Sequence, residues 1–206
     1  MNPFTFANRF NRMTSKIKIA IFASGSGSNA ESIMKHFENQ NDIEVSLIVS
    51  NRQNAFVLER AQKRNIDFWV HTSEDILNGN IKSKLIEKQI DFIVLAGYLK
   101  KIGGDLTQTY PNKIVNIHPA LLPKFGGKGM YGMNVHKAVV KAKEEISGPT
   151  IHFVNEHYDE GAIIEQHKVK LDQNDSAEEV QKKVLELEHK FFATCIERVI
   201  REQYEI

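Results

Sequence analysis

Asn116 and His118 stand two residues apart in the stretch Asn-Ile-His-Pro-Ala-Leu-Leu-Pro, residues 116–123. If a strand ends there, side-chain alternation puts both on one face, about 6.6 Å apart, and turns Ile117 into the opposite layer. Pro119 cannot donate to a ladder and biases His118 toward extended geometry, so the strand stops where the pair is presented. An amide offers a neutral donor, and an imidazole offers a proton near neutral pH. Together they suit acyl transfer, with one donor for a developing oxyanion and one group to relay or stabilise charge. An Asn-x-His taken alone is more often structural, so the reading needs a third member. Asp159, in Asn-Glu-His-Tyr-Asp-Glu-Gly (155–161), follows another apolar run and precedes a glycine that permits a sharp reversal. Paired with His118, its carboxylate would favour the imidazolium and fix the ring. The plain alternative is a turn aspartate that caps its own backbone.

A second constellation lies near the start of the chain, in Ser-Gly-Ser-Gly-Ser-Asn (24–29). Gly25 and Gly27 permit tight turning and close backbone approach. Ser28 and Asn29 add donors where a helix opens. Free N–H groups and the helix dipole make such a place an anion site. Gly25-x-Gly27-x-x-Ala30 also fits the looser dinucleotide fingerprint, although the acid expected about 20 positions on is missing. Arg52, in Ser-Asn-Arg, would instead favour a 2′-phosphate, so on this loop alone an NADP oxidoreductase stays open. The phosphate-binding pattern of nucleoside triphosphatases is absent.

No nucleophile presents itself. Cys195 is the single cysteine. It lies among apolar helix neighbours as core filler, excludes an internal disulfide and fits a reducing compartment. The histidines show no metal-ligand spacing, so direct transfer without metal or covalent enzyme intermediate is expected. The last helix opens on Ser176 with Glu179 three residues on, a capping-box pattern. Its apolar sector comprises Val180, Val184, Leu187, Phe191, Phe192, Cys195 and Val199. Glu188 falls inside that sector. A carboxylate there is either a rim group whose head reaches water or an acceptor for a ligand's hydroxyls or amine.

The elements that must position these residues alternate along the chain. Apolar runs at 17–23, 43–50, 66–70, 91–97 and 113–118 read as strands, several of them continuous enough to be covered on both faces. Helical periodicity occupies 29–40, 55–65 and 80–89. The pattern predicts a Rossmann-like, doubly wound α/β domain with a mostly parallel sheet. After residue 134 come a helix, a strand pair (149–155 and 162–171) and the long C-terminal helix. Residues 1–16 carry Arg9, Arg12 and Lys16 and no acid, without the apolar stretch of a secretory signal. They read as an extension to a single domain over 17–206, with organelle targeting the weaker alternative. A net charge of +1 gives no global pull toward nucleic acid or anionic lipid. We therefore expect small-molecule substrates, a cytoplasmic monomer or homodimer, and neither nucleic-acid nor membrane partners.

In this order and at these spacings, Ser24–Asn29, Leu-Ala-Gly-Tyr (95–98), the Asn116 to Pro123 stretch and Val154–Gly161 resemble the phosphoribosylglycinamide formyltransferase family over about residues 17–200. That resemblance implies transfer of a formyl group from 10-formyltetrahydrofolate to a phosphorylated glycinamide amine, in purine synthesis and without metal. It implies Asn116, His118 and Asp159 as the catalytic trio. Gly27, Ser28 and Asn29 would cradle the substrate phosphate, and Glu188 would hold its ribosyl or glycyl part. Leu99, Lys100 and Ile102, with Asn155 and Tyr158, would wall the folate pocket. Two stretches depart from the family pattern. Gly-Gly-Lys-Gly-Met-Tyr-Gly after Phe125 is longer than the usual turn, and Lys100 stands where arginine is common. Formyltetrahydrofolate hydrolases and methionyl-tRNA formyltransferases share the motif but usually carry an added N- or C-terminal domain. The NADP reading lacks a Tyr-x-x-x-Lys.

Overall fold

The computed structural model describes residues 16–206, so all of the expected N-terminal extension except Lys16 lies outside the described residues. Five parallel strands form the centre: β1 (Ile17–Phe22), β2 (Ile43–Ser50), β3 (Asp67–Val70), β4 (Phe92–Leu95) and β5 (Ile114–His118). Between them run α1 (Ser28–Phe37), α2 (Phe56–Lys63), α3 (Ser73–Leu77), α4 (Asn80–Glu87) and α5 (Gly104–Thr109). Beyond β5 come α6 (Met133–Lys141), β6 (Ile146–Ser147), β7 (Thr150–Phe153), β8 (Ile163–Gln166), β9 (Val169–Lys170) and α7 (Ala177–Tyr204). The main sheet has the order β3-β2-β1-β4-β5-β7-β8, with β7 antiparallel to both its neighbours, β5 and β8.

Why the strands read as continuous apolar runs is visible in β1. Ile19 and Ile21 enter one layer, with Ile33 and Phe37 of α1 and Phe192 and Ile196 of α7. Ala20 and Phe22 enter the other, with Ile81 and Leu85 of α4 and Leu106 of α5. Both faces are dry, so no polar alternation can survive. Strand order reverses between β1 and β4, and the crevice at such a reversal, outside the carboxyl ends of the strands, is where open α/β sheets bind ligands.

The sequence reading needs three corrections in detail. The run 162–171 is two strands, because β7 begins only at Thr150, opposite Gln166. Past that point the chain pairs instead with β6, Ser147 against Val169 and Ile146 against Lys170. Short elements α3, α5 and β6 were not anticipated. On α7, Leu187 and Phe191 are half-buried, whereas Ala193, Ile196 and Ile200 complete the core face. Phe191 stacks on His167 with ring centroids 3.7 Å apart. Among the described residues, no helix is long and apolar enough to cross a membrane.

Candidate functional site

The loop between β1 and α1 is built around Gly27, which caps α1 at φ 70°. A Cβ there would lie 2.5 Å from Val57 Cγ2, so both conformation and space require glycine. The loop is clamped from α2: the Val57 N–H donates to the Gly25 carbonyl at 3.2 Å, and Arg60 Nε donates to the Ser26 carbonyl at 2.9 Å. No side chain among the described residues caps the α1 N-terminus, which leaves its first N–H groups and dipole directed into the cleft. Ser24 ties the neighbouring walls together. Its hydroxyl donates to Asn51 Oδ1 at 2.6 Å and accepts the Leu99 N–H at 2.9 Å, which fixes Leu99 in the segment that follows β4.

Asn116 and His118 lie at the carboxyl end of β5 with Ile117 in the core between them, as alternation requires. His118 is 3% exposed. Its Nε2 donates to the Phe125 carbonyl at 2.8 Å, leaving Nδ1 to face Asp159 Oδ2 at 3.6 Å. Burial pushes the His118 pKa below its ordinary value, while the Asp159 charge and the Phe125 carbonyl push back up. Asp159 sits at φ 56° in the turn after β7, and its Oδ2 accepts the Gly127 N–H at 2.8 Å. Gly161 closes that turn against the Phe153 carbonyl, with no room for a Cβ. The start of the glycine-rich loop is therefore bonded to two members of the trio, through Phe125 and Gly127.

Glu188 is 7% exposed, so it is no rim residue. It accepts the Asn29 Nδ2 hydrogen bond at 2.5 Å. Burial raises its pKa to about 7, against the lowering effect of that bond. Asn29 Oδ1 is buried with no partner among the described residues, an acceptor left unused beside the Glu188 contact.

One cleft of about 580 Å³ is lined by all twelve residues that the resemblance assigns to the site. Gly27, Ser28 and Asn29 come from the start of α1 and Glu188 from α7, Asn116 and His118 from β5, Leu99, Lys100 and Ile102 from the segment after β4, and Asn155, Tyr158 and Asp159 from the segment after β7. Ile102 is buried, while Leu99 and Tyr158 are exposed. The Asn155 side-chain oxygen is engaged by the His157 N–H at 2.9 Å, so it shapes the turn as well as lining the cleft. Arg52 lines a separate cavity of about 430 Å³, beside His71.

The formyl transferase family model matches residues 17–196, nearly the whole described chain. The chain belongs to this family. It is 42% identical over 194 residues to the chloroplastic phosphoribosylglycinamide formyltransferase of Arabidopsis thaliana, covering 88% of this chain but only 66% of that protein. The chain thus spans just under two thirds of this plant relative. The phosphoribosylglycinamide formyltransferase of Bacillus subtilis (strain 168) is 34% identical, over 89% of this chain and 94% of its own length. The crystal structure of the Bacillus halodurans phosphoribosylglycinamide formyltransferase superposes with a TM-score of 0.81 at 35% identity, covering 89% and 95% of the two chains. Family membership sets aside the nicotinamide reading of the glycine loop.

Two cleft residues escaped the sequence reading. His152, 2% exposed, stands directly opposite Asn116 in the β5–β7 ladder, with its Nε2 3.1 Å from Asn116 Nδ2 and 3.7 Å from Asp159 Oδ1. Only the pairing of the strands, which a single sequence does not state, brings it there. His136 of α6 is also 2% exposed, and its Nδ1 has no partner among the described residues. Burial and the nearby His118 push its pKa down to about 4.

Proposed function

We propose that this chain transfers the formyl group of 10-formyltetrahydrofolate to the amine of 5′-phosphoribosylglycinamide, with residues 17–206 as its single, cytoplasmic catalytic domain. One observation carries the reading: Asn116, His118 and Asp159 share a cleft with the uncapped N-terminus of α1. A phosphate held at Gly27, Ser28 and Asn29 would anchor one end of the substrate. Asn29 and Glu188 would take up its ribosyl or glycyl groups, their buried oxygens accepting from hydroxyl or amine. The folate supplies the one-carbon unit and would lie along Leu99, Lys100, Ile102, Asn155 and Tyr158, a wall that combines apolar surface with one cation.

The substrate amine then attacks the carbonyl carbon directly. Asn116 donates an N–H to the carbonyl oxygen as charge develops there, and His118 Nδ1, once protonated, stabilises the same charge. Asp159 orients that nitrogen and takes part in moving the amine proton toward the folate nitrogen. The test is the absorbance change on release of tetrahydrofolate from 10-formyltetrahydrofolate, with and without phosphoribosylglycinamide. Release only with the amine supports the transferase. Equal release without it would make the chain a hydrolase.

A further inference from the structure

We propose that His152 is a positioning residue that fixes which way the Asn116 amide faces. The inference rests on the transferase reading above. His152 Nδ1 lies 2.8 Å from the carbonyl oxygen of Phe153, an atom that can only accept, so Nδ1 carries a proton. Burial pushes the ring's pKa down, and a second proton on it is disfavoured. Nε2 is then a bare acceptor.

The groups around Nε2 are Asn116 Nδ2 at 3.1 Å and Asp159 Oδ1 at 3.7 Å. Only the amide NH₂ can answer a bare nitrogen. If the amide turned over, its oxygen would meet the ring nitrogen's lone pair. With one N–H spent on His152, the second N–H of Asn116 is held facing the cleft. That proton is the one a developing oxyanion needs. The chain of dependence runs Phe153 carbonyl, His152 tautomer, Asn116 amide, reacting oxygen. Loss of His152 leaves the amide free to present its own oxygen, which would repel the charge it should stabilise. Asn116 and His152 are partners across the β5–β7 ladder, so the backbone itself maintains the contact.

The experiment is steady-state kinetics on wild type, His152→Ala, His152→Gln, Asn116→Ala and the double variant, with 15N spectra of the unliganded wild type. His152→Ala should lower kcat by about 10- to 10²-fold, the scale of a misplaced catalytic group, with KM for both substrates within about two-fold. His152→Gln keeps an acceptor oxygen within reach of Asn116 and should restore most of the loss. In the Asn116→Ala background, His152→Ala should cost nothing further, because its only means of action is already gone. The spectra should show His152 protonated at Nδ1 and bare at Nε2. Additive losses in the double variant, an unchanged kcat in His152→Ala, or a ring protonated at Nε2 would overturn the proposal. A wild type without amine-dependent turnover would instead overturn the transferase reading and leave the tautomer result to stand separately.

Discussion

His118 Nδ1 and Asp159 Oδ2 face each other at 3.6 Å, too long for a direct hydrogen bond and close enough for one charge to bias the other. The other His118 nitrogen already donates to the Phe125 carbonyl. Two opposed influences therefore act on one ring, burial against the proton and the carboxylate for it. Titration followed by NMR should place His118 below its ordinary 6.5 in the unliganded protein. Asp159→Asn should move the midpoint lower still, since it removes the charge that raises it. A midpoint unmoved by that change would mean the pair does not communicate.

Under the proposed mechanism, Asn116→Ala removes one donor to the reacting oxygen. By the magnitude of other oxyanion donors it should lower kcat about 10²- to 10³-fold while leaving both KM values nearly unchanged. A loss confined to KM would reassign Asn116 to substrate binding.

Gly27 and Gly79 both sit at positive φ, 70° and 69°, but only Gly27 lacks room for a Cβ. Alanine at Gly79 should cost about 1–2 kcal/mol, the left-handed penalty alone. Alanine at Gly27 should cost more, through the clash with Val57, and should raise KM for the phosphate-bearing substrate without affecting that for the folate. Thermal unfolding and initial rates on the two variants check both halves.

Glu188 has a folded pKa near 7 against an ordinary 4.5. The unfolded chain releases that proton first, so the residue's contribution is present at low pH and is lost as pH rises from about 4.5 to 7. Glu188→Gln should therefore be more stable than wild type at pH 8, by about 3 kcal/mol at most, with the difference vanishing below pH 4.5. It should also bind phosphoribosylglycinamide more weakly. Denaturant midpoints across pH would contradict this if the difference were flat.

His118, His136 and His152 work in the opposite sense. Each is buried with a depressed pKa, so the unfolded chain binds its proton first and stability falls as pH drops below about 6.5. For His136 the window extends down to about 4. His136→Leu should flatten the pH dependence of the urea midpoint over that range; an unchanged slope would mean that His136 is not buried neutral.

How much of this was legible in the sequence depended on whether the signal was local. The Asn116–Pro119 run announced its own strand end, and the apolar continuity of β1, β2 and β4 announced a sheet covered on both sides. The capping box of α7 was read correctly at Ser176 and Glu179. A second box, Thr72 with Asp75, opens α3 and could have revealed that helix. Glu188 was visible as a carboxylate on an apolar helix sector, but whether it was a rim group or a buried acceptor depended on where α1 would put Asn29. His152 was invisible because its role comes from lying opposite Asn116, a pairing between strands whose partner residues are 36 positions apart in the chain.

The central claim of the proposed function is that the formyl group passes intact to the substrate amine, without hydrolysis to formate on the way, while the chain holds charge and protons. A single-turnover reaction in ¹⁸O-labelled water tests it most directly. Mass spectrometry should find one formylated product per folate consumed, its formyl oxygen unlabelled, because amine attack expels nitrogen and keeps the original oxygen. Labelled oxygen in the product, or free formate released in step with folate loss, would contradict direct transfer.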